Sequence, residues 1–365
     1  MSLRKKIAWC LAPLTMWYGV VVGVRNLLFD IGVLKQKASP MTSIGVGNIA
    51  CGGTGKTPHV EYVLRLLGES YRTAVLSRGY RRKSKGFQVN DRTMDPAERV
   101  RLLGDEPAMV AEKFASVTVA VCEKRVEGLR QLHQQEEAPE VVVLDDVFQH
   151  RQVKPDLNIL LTEYRKPYYL DRVLPFGDLR ESRRGHWRAD IIVVTKCPER
   201  LNPIERRNMT AQLKPGRHQK VFFSYLKYGE LRSVADGTTE GWDNEKTRCA
   251  LVVTGIAHPE PMVQYMKRYG KVRHLAFGDH HPFTESDLAN IRQAYEELPE
   301  GGVVVTTEKD AARLAEPHCK EALQGIPLYV LPIEVVFHEN KEENFDEVVL
   351  HRVKEGVRWK KSLSV

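Results

Sequence analysis

Val46-Gly47-Asn48-Ile49-Ala50-Cys51-Gly52-Gly53-Thr54-Gly55-Lys56-Thr57 decides the fold. It follows an apolar run that reads as a strand (43–47) and opens a run that reads as a helix (56–67). A glycine-rich turn in that position lets successive backbone N–H groups point at phosphate oxygens, and the helix start adds its positive dipole end. Gly52, Gly53, Thr54 and Gly55 are therefore expected to cradle the phosphates of ATP. Lys56 would reach the β- and γ-phosphates, and the Thr57 hydroxyl would ligate Mg²⁺. The strict phosphate-loop pattern has glycine where Ala50 stands, but the Gly-Gly-Thr-Gly-Lys-Thr core is intact. A purely structural turn would leave the Lys-Thr pair unexplained.

Such a loop needs a second strand that ends in a carboxylate. Val141-Val142-Val143-Leu144-Asp145-Asp146 supplies one downstream. Two adjacent acids at a buried strand end are costly unless a cation neutralises them, so Asp145 and Asp146 are expected to hold the metal. Around these two strands, apolar β-branched runs at 73–77, 117–121, 157–161 and 191–195 alternate with helical runs at 106–114 and 124–135. Near-continuous apolar strands belong to a parallel sheet covered on both faces. The expectation is a doubly wound, mainly parallel P-loop-like α/β domain over 36–225. A polar stretch at 226–248 reads as a junction or a short hairpin. Beyond it, 249–365 reads as a second, smaller α/β domain, with strands at 250–254, 272–277 and 303–306. Its helices are expected at 259–268, 285–296, 309–315 and 342–354.

The 365 residues suit two such domains, and 42% hydrophobic with 28% charged residues excludes a disordered chain. A net charge of +8 favours an anionic partner: nucleic acid, acidic lipid or a phosphorylated substrate. The six cysteines form no C-x-x-C pair, which argues against a zinc site or a disulfide framework and for a reducing compartment. Near the start, Arg4, Lys5 and Lys6 precede an uncharged run, 7–24, closed by Arg25. As a helix that run is about 27 Å long at roughly 1.5 Å per residue, just short of a bilayer core. It contains Pro13, Gly19 and Gly23, with Trp9, Trp17 and Tyr18 suited to the headgroup zone. A cleaved export signal is disfavoured, because no small-x-small site follows. A buried core helix is the plainer alternative. The preferred reading makes 1–35 a membrane-associated helix on the cytoplasmic face of the inner membrane, seated shallowly or spanning.

Asp145-Asp146-Val147-Phe148-Gln149-His150-Arg151 resembles the signature of the tetraacyldisaccharide 4′-kinases of lipid A biosynthesis. The resemblance runs in order along nearly the whole chain. It takes in Arg25-Asn26, Leu76-Ser77-Arg78-Gly79-Tyr80, Gly104-Asp105-Glu106-Pro107, Leu179-Arg180-Glu181 and Thr195-Lys196-Cys197. It continues with Gly255-Ile256-Ala257, Asp279-His280-His281 and Thr307-Glu308-Lys309-Asp310-Ala311. Four positions depart from the family pattern: Arg81, Val147, Phe176 and Asp178.

The resemblance implies transfer of the γ-phosphate of ATP to the 4′-hydroxyl of an acylated glucosamine disaccharide 1-phosphate, with Mg²⁺. It implies an Asp105–His280 pair as the base, with Lys56 as the third catalytic group; His281 can exchange roles with His280. Read from its neighbours alone, Asp105 would be a helix cap. The resemblance also puts His150 and Arg180 at the nucleotide and Glu181 at the metal. The basic run from Arg78 to Lys85 is read as meeting the substrate phosphate or anionic headgroups. Lys309 and Asp310 are read as structural. The rival reading is a membrane-associated partitioning ATPase, whose pattern usually has lysine where Cys51 stands. No helix-turn-helix, zinc or stacking-aromatic pattern supports nucleic acid as the partner.

Overall fold

In the computed structural model, which describes residues 3–80, 82–241, 249–268, 270–279, 281–340 and 343–363, the chain opens with one long helix, α1 (Leu3–Asp30). There follow β1 (Lys37–Ala38), β2 (Thr42–Asn48), α2 (Lys56–Leu67), β3 (Thr73–Ser77), β4 (Gln88–Val89), α3 (Pro96–Leu103), α4 (Asp105–Lys113), β5 (Thr118–Val121), α5 (Arg125–His133) and β6 (Val141–Asp145). The first half closes with β7 (Val153–Lys154), β8 (Leu157–Glu163), β9 (Ile191–Thr195), α6 (Pro203–Leu213) and β10 (Lys220–Tyr228). Then come β11 (Leu231–Ser233), β12 (Thr239–Glu240), β13 (Cys249–Thr254), α7 (Glu260–Lys267), β14 (Lys271–Ala276), α8 (Glu285–Glu296) and β15 (Val303–Thr306). The chain ends with α9 (Glu308–Leu314), α10 (Pro317–Ala322), β16 (Leu328–Val330), β17 (Ile333–Phe337) and α11 (Phe345–Leu363).

Among the described residues the larger sheet has nine strands, ordered β17-β10-β9-β8-β2-β6-β3-β5-β4, with seven parallel strands inside two antiparallel edges. Side chains alternate between its faces with the strand period of two. Val141 and Val143 pack with Val60, Leu64, Phe345 and Val349 of α2 and α11, while Val142 and Leu144 pack with Leu129 and Leu132 of α5. Both faces are therefore covered, which is why β6 and β9 read as unbroken apolar runs, Val141–Leu144 and Ile191–Val194. β2 lies at the centre, fully buried between β6 and β8, so its C-terminal end delivers residues 49–55 to the middle of the sheet edge.

The smaller sheet is ordered β12-β11-β16-β15-β13-β14 and is again mainly parallel. It is sandwiched by α7 on one face and by α8 and α9 on the other. The expected boundaries of the two domains need correction at both ends. β11 and β12, in the stretch read as a junction, pair inside the smaller sheet. The tail returns to the larger one: β17 pairs antiparallel with β10, and α11 lies over α2, with the Phe337 and Phe345 rings stacked at 4.0 Å. The spacing of Phe345, Val349 and Val353 announces an apolar helical stripe, but periodicity does not say which sheet the stripe covers. α11 also runs past the expected end, to Leu363.

The N-terminal expectation changes as well. α1 extends through Asp30, well beyond the uncharged run, and among the described residues no helix is long and apolar enough to cross a membrane. Its C-terminal part docks on the larger domain: Arg151 donates to the Asn26 carbonyl (2.7 Å) and pairs with Asp30 (2.6 Å) over the buried Phe29.

Because Phe345 seals the return of the tail against Tyr62, Phe222 and Phe337, Phe345→Ala should destabilise the protein by about 3–5 kcal/mol, the usual cost of emptying a buried aromatic site. Equilibrium urea unfolding measures this; a change under 1 kcal/mol would show that the tail is not part of the larger core.

Candidate active site

The glycine loop owes its shape to residues that are special or pinned. Gly52 and Gly55 have φ of 109° and 85°, a region that a side chain rarely enters. The Asn48 amide donates to Thr54 Oγ1 (2.6 Å), and the Thr195 hydroxyl donates to the Thr54 carbonyl (2.9 Å). From outside, the segment 178–180 clamps the loop: Cys51 N–H donates to the Asp178 carbonyl (2.7 Å) and Arg180 N–H to the Ile49 carbonyl (2.7 Å). Gly55 caps α2 without a side-chain acceptor, which leaves the first N–H groups of the helix for an anion. Behind the loop, the buried His59 bonds Gly55 O (2.7 Å) and Ser224 Oγ (2.9 Å); burial pushes its imidazole down to about 4.

Lys56 and Thr57 lie where the sequence put them, and Lys56 Nζ is 3.9 Å from Asp146. Asp146, with the unusual φ of 48°, accepts two bonds from Arg180 (2.8 and 3.1 Å). Burial works against its charge, but Arg180 and Lys56 outweigh it and hold its carboxyl below the ordinary range. Asp145 behaves in the opposite way. Burial, reinforced by Glu106 and Asp146, pushes its carboxyl up to about 6. One oxygen accepts from Ser77 (3.1 Å), while Oδ1 is buried without a hydrogen-bond partner.

Asp105 begins α4, and Gly104 rather than Asp105 is the cap. Its carboxylate faces the smaller domain, where Arg313 Nε donates to it (3.0 Å). The sequence reading passed over its neighbour. Glu106 accepts from the Thr57 hydroxyl (3.2 Å) and from Lys309 Nζ (2.8 Å). Burial alone would raise the Glu106 carboxyl, and Lys309, Lys56 and Thr57 bring it net below the ordinary value. The signal was present in Gly104-Asp105-Glu106-Pro107, but helical spacing marks Glu106 only as a first-turn residue. His280, the expected partner of Asp105, lies outside the described residues. His281 is engaged elsewhere: it bonds Asp287 (2.9 Å), the residue that pairs with the cap Thr284 at the start of α8, and stacks on Phe277.

Beside Asp146 opens a cavity of about 240 Å³. Arg78, Arg125, Gln149, His150, Arg180 and Glu181 form one side, and Tyr18, Val22, Arg25 and Asn26 of α1 form the other. Burial, with Arg125 and Arg78 near, pushes the His150 imidazole down to about 4 and keeps it neutral. Glu181, expected at the metal, has three side-chain partners here. Its oxygens are taken up by Asn26 (3.0 Å), Gln149 (2.9 Å) and Arg188 (2.8 Å), so it tethers α1 to the cavity wall. Among the described residues no group of three His, Cys, Asp or Glu side chains is poised as a metal cluster. The N-terminal helix is thus part of the site, which the hydropathy of 7–24 did not announce. Of the basic run, Arg78 lines the cavity, Arg82 bonds Gly86 and Glu123, and Arg81 lies outside the described residues.

The family profile described as "Tetraacyldisaccharide-1-P 4'-kinase" matches residues 7–354. The chain belongs to this family. It is 42% identical over 366 residues to a tetraacyldisaccharide 4'-kinase of Bacteroides thetaiotaomicron, covering 97% of this chain and 95% of that protein. It is 41% identical to one of Flavobacterium johnsoniae, covering 98% and 99%. The crystal structure of the "apo" form of LpxK from Aquifex aeolicus in complex with ATP superposes with a TM-score of 0.73 at 28% identity, over 95% of this chain and 99% of that one.

Three of the four departures, Val147, Phe176 and Asp178, have local roles. Val147 is buried under the site and packs onto Gly45, where a Cβ would sit 2.8 Å from its Cγ1. Asp178 serves the loop through its carbonyl, a role independent of its side chain, and Arg172 covers the Phe176 ring at 4.9 Å.

The depressed histidines set a pH dependence of stability. In the unfolded chain they titrate near ~6.5, so between about 4 and 6.5 the unfolded state binds more protons and stability is lost as pH falls. Asp145 works in reverse, since its folded value near 6 lies above the unfolded ~3.9 and the folded state gains stability on acidification in that window. The melting temperature should therefore fall from pH 7 to pH 5. His59→Gln should flatten that slope and Asp145→Asn should steepen it; an unchanged slope in both would contradict these environments.

Proposed function

We infer that this chain transfers the γ-phosphate of ATP to the 4′-hydroxyl of a tetraacylated glucosamine disaccharide 1-phosphate, yielding the 4′-phosphorylated lipid and ADP. One observation carries the reading: at the open start of α2, Lys56 meets the Asp146 end of one strand and Thr57 meets Glu106 of the α4 start, beside a cavity walled by α1.

The glycine loop acts as a phosphate loop, and its backbone N–H groups and Lys56 hold the β- and γ-phosphates. Thr57, Asp145 and Asp146 are the groups suited to Mg²⁺: the donor set is all oxygen, and Asp145 has a buried oxygen with no other partner. When bound, Mg²⁺ neutralises charge on the phosphates. Arg180 has its guanidinium on Asp146 and can swing its charge toward the transferring group. Asp105 accepts the proton of the acceptor hydroxyl as its oxygen bonds to phosphorus and the bond to the ADP oxygen breaks. His280 is its proposed partner. Arg78 and Arg125 supply cationic hydrogen-bond donors for the phosphate end of the acceptor.

The protein is proposed to work at the cytoplasmic face of the inner membrane with α1 lying in the interface. Trp17, Val20, Val21 and Val24 are 70%, 51%, 49% and 51% exposed, at helical spacing, on a helix whose other side walls the cavity. That arrangement would bring a lipid headgroup to Asp146 while its acyl chains stay in the bilayer.

Transfer of label from γ-³²P-ATP to tetraacyldisaccharide 1-phosphate in detergent micelles tests the reaction. Labelled lipid should form, and Lys56→Ala should lower turnover by at least about 100-fold, as loss of one transition-state electrostatic contact does. Free phosphate without labelled lipid would favour the partitioning ATPase instead. The seating of α1 is tested with the double variant Trp17→Glu and Val21→Glu, which should lose co-sedimentation with anionic vesicles and keep its melting temperature. Unchanged sedimentation would exclude α1 as the membrane contact.

A further inference from the structure

Helix α9 of the smaller domain meets α4 of the larger one along a row of ion pairs: Arg313–Asp105 (3.0 Å), Lys309–Glu106 (2.8 Å) and Glu308–Lys113 (2.7 Å). Lys113 also bonds the buried Glu61 of α2 (2.8 Å). Most surface ion pairs contribute little, because both side chains must be ordered for the purpose. This row differs at its centre. Asp310, with no exposure, accepts from Gly255 N–H (2.9 Å) and from the Thr307 hydroxyl (2.7 Å) through one oxygen, and from Arg313 Nη1 (2.8 Å) through the other. Arg313 also donates to the Gly255 carbonyl (3.3 Å). A Cβ on Gly255 would lie 2.9 Å from Asp310 Oδ1 and 3.3 Å from Arg313 Nη1, so the space is matched to this pair. The guanidinium is thus ordered by its own domain before it reaches Asp105.

We propose that Arg313 and Lys309 are positioning residues for phosphoryl transfer: Arg313 orients the Asp105 carboxylate, and Lys309 holds Glu106 against the Thr57 hydroxyl. This rests on the reading of Asp105 as the proton acceptor. The two carboxylates are consecutive in sequence yet have different targets, and each receives its own cation from the smaller domain. Arg313 is a planar fork, and with Nη1 committed to Asp310 its Nε fixes the direction of approach to Asp105; a lysine offers charge without that direction. Lys309 acts one step from the nucleotide, through Glu106 to the residue expected to ligate the metal. The smaller domain therefore contributes to the chemistry without touching ATP through these residues.

The test uses the full chain in the micelle assay, with kcat and KM for ATP measured for Arg313→Gln, Arg313→Lys and Lys309→Met beside their melting temperatures. Arg313→Gln should lower kcat about 10- to 100-fold with little change in KM, the usual cost of losing an outer partner of a functional group. Arg313→Lys, which keeps a charge for Asp310, should recover part of that loss. Lys309→Met, at a half-buried position, should raise KM for ATP in the presence of Mg²⁺ more than it lowers kcat. Adding Arg313→Gln to Asp105→Asn should cost no further activity, since the two groups act as one unit. Near-normal kcat in Arg313→Gln, or independent multiplicative losses in the double variant, would overturn the inference. Should Arg313→Gln melt below the assay temperature, full kcat in Arg313→Lys together with an unchanged KM in Lys309→Met would overturn it. Near-normal turnover of Asp105→Asn alone would instead remove the proton-acceptor reading beneath it.

Discussion

Four carboxylates, Asp105, Glu106, Asp145 and Asp146, lie near the first turn of α2, and the repulsion of Asp145 by Glu106 and Asp146 is the constraint that the rest of the structure answers. No single element can neutralise them. Lys56 comes from the loop itself, Arg180 from the segment after β8, and Lys309 and Arg313 from the other domain. What remains uncompensated is concentrated on Asp145, whose carboxyl is pushed up to about 6 and keeps one buried oxygen unpartnered.

The segment 178–181 shows how the same residues serve the loop and the N-terminal helix. The Asp178 carbonyl and the Arg180 N–H clamp residues 49–51, the Arg180 side chain holds Asp146, and its carbonyl accepts from Tyr18 of α1 (3.0 Å). One residue later, Glu181 holds Asn26. The helix proposed to lie in the membrane interface is therefore mechanically continuous with the glycine loop through residues 178–181.

The two domains are joined by more than the α4–α9 seam. The chain leaves the larger sheet at β10 and comes back as β17 beside that same strand, so the smaller domain is inserted between two hydrogen-bonded neighbours. Gly229 N–H and the Pro332 carbonyl bond across the two crossings (3.0 Å). Such a double connection restrains sliding of one domain against the other, which is what a side chain from α9 needs if it is to orient a carboxylate on α4.

Much of this was legible in consecutive residues. The glycine loop, the Val-rich strand ending in Asp145-Asp146 and the helices 56–67 and 285–296 follow from period and local chemistry, and they lie where the sequence put them. Those signals are short-range: a positive φ favours glycine, and a strand buried on both faces favours apolar residues. Tertiary structure alone decided that α11 covers the larger sheet, that Glu181 tethers α1, and that Glu106 reaches Thr57. It also decided that Arg313 and Lys309 meet carboxylates 208 and 203 residues away. Charge pairing across such separations leaves no periodic trace in the chain, because it depends only on where packing brings the two ends. The sequence by itself determined the chemistry of the loop; the packing of two domains and one helix determined which charges surround it.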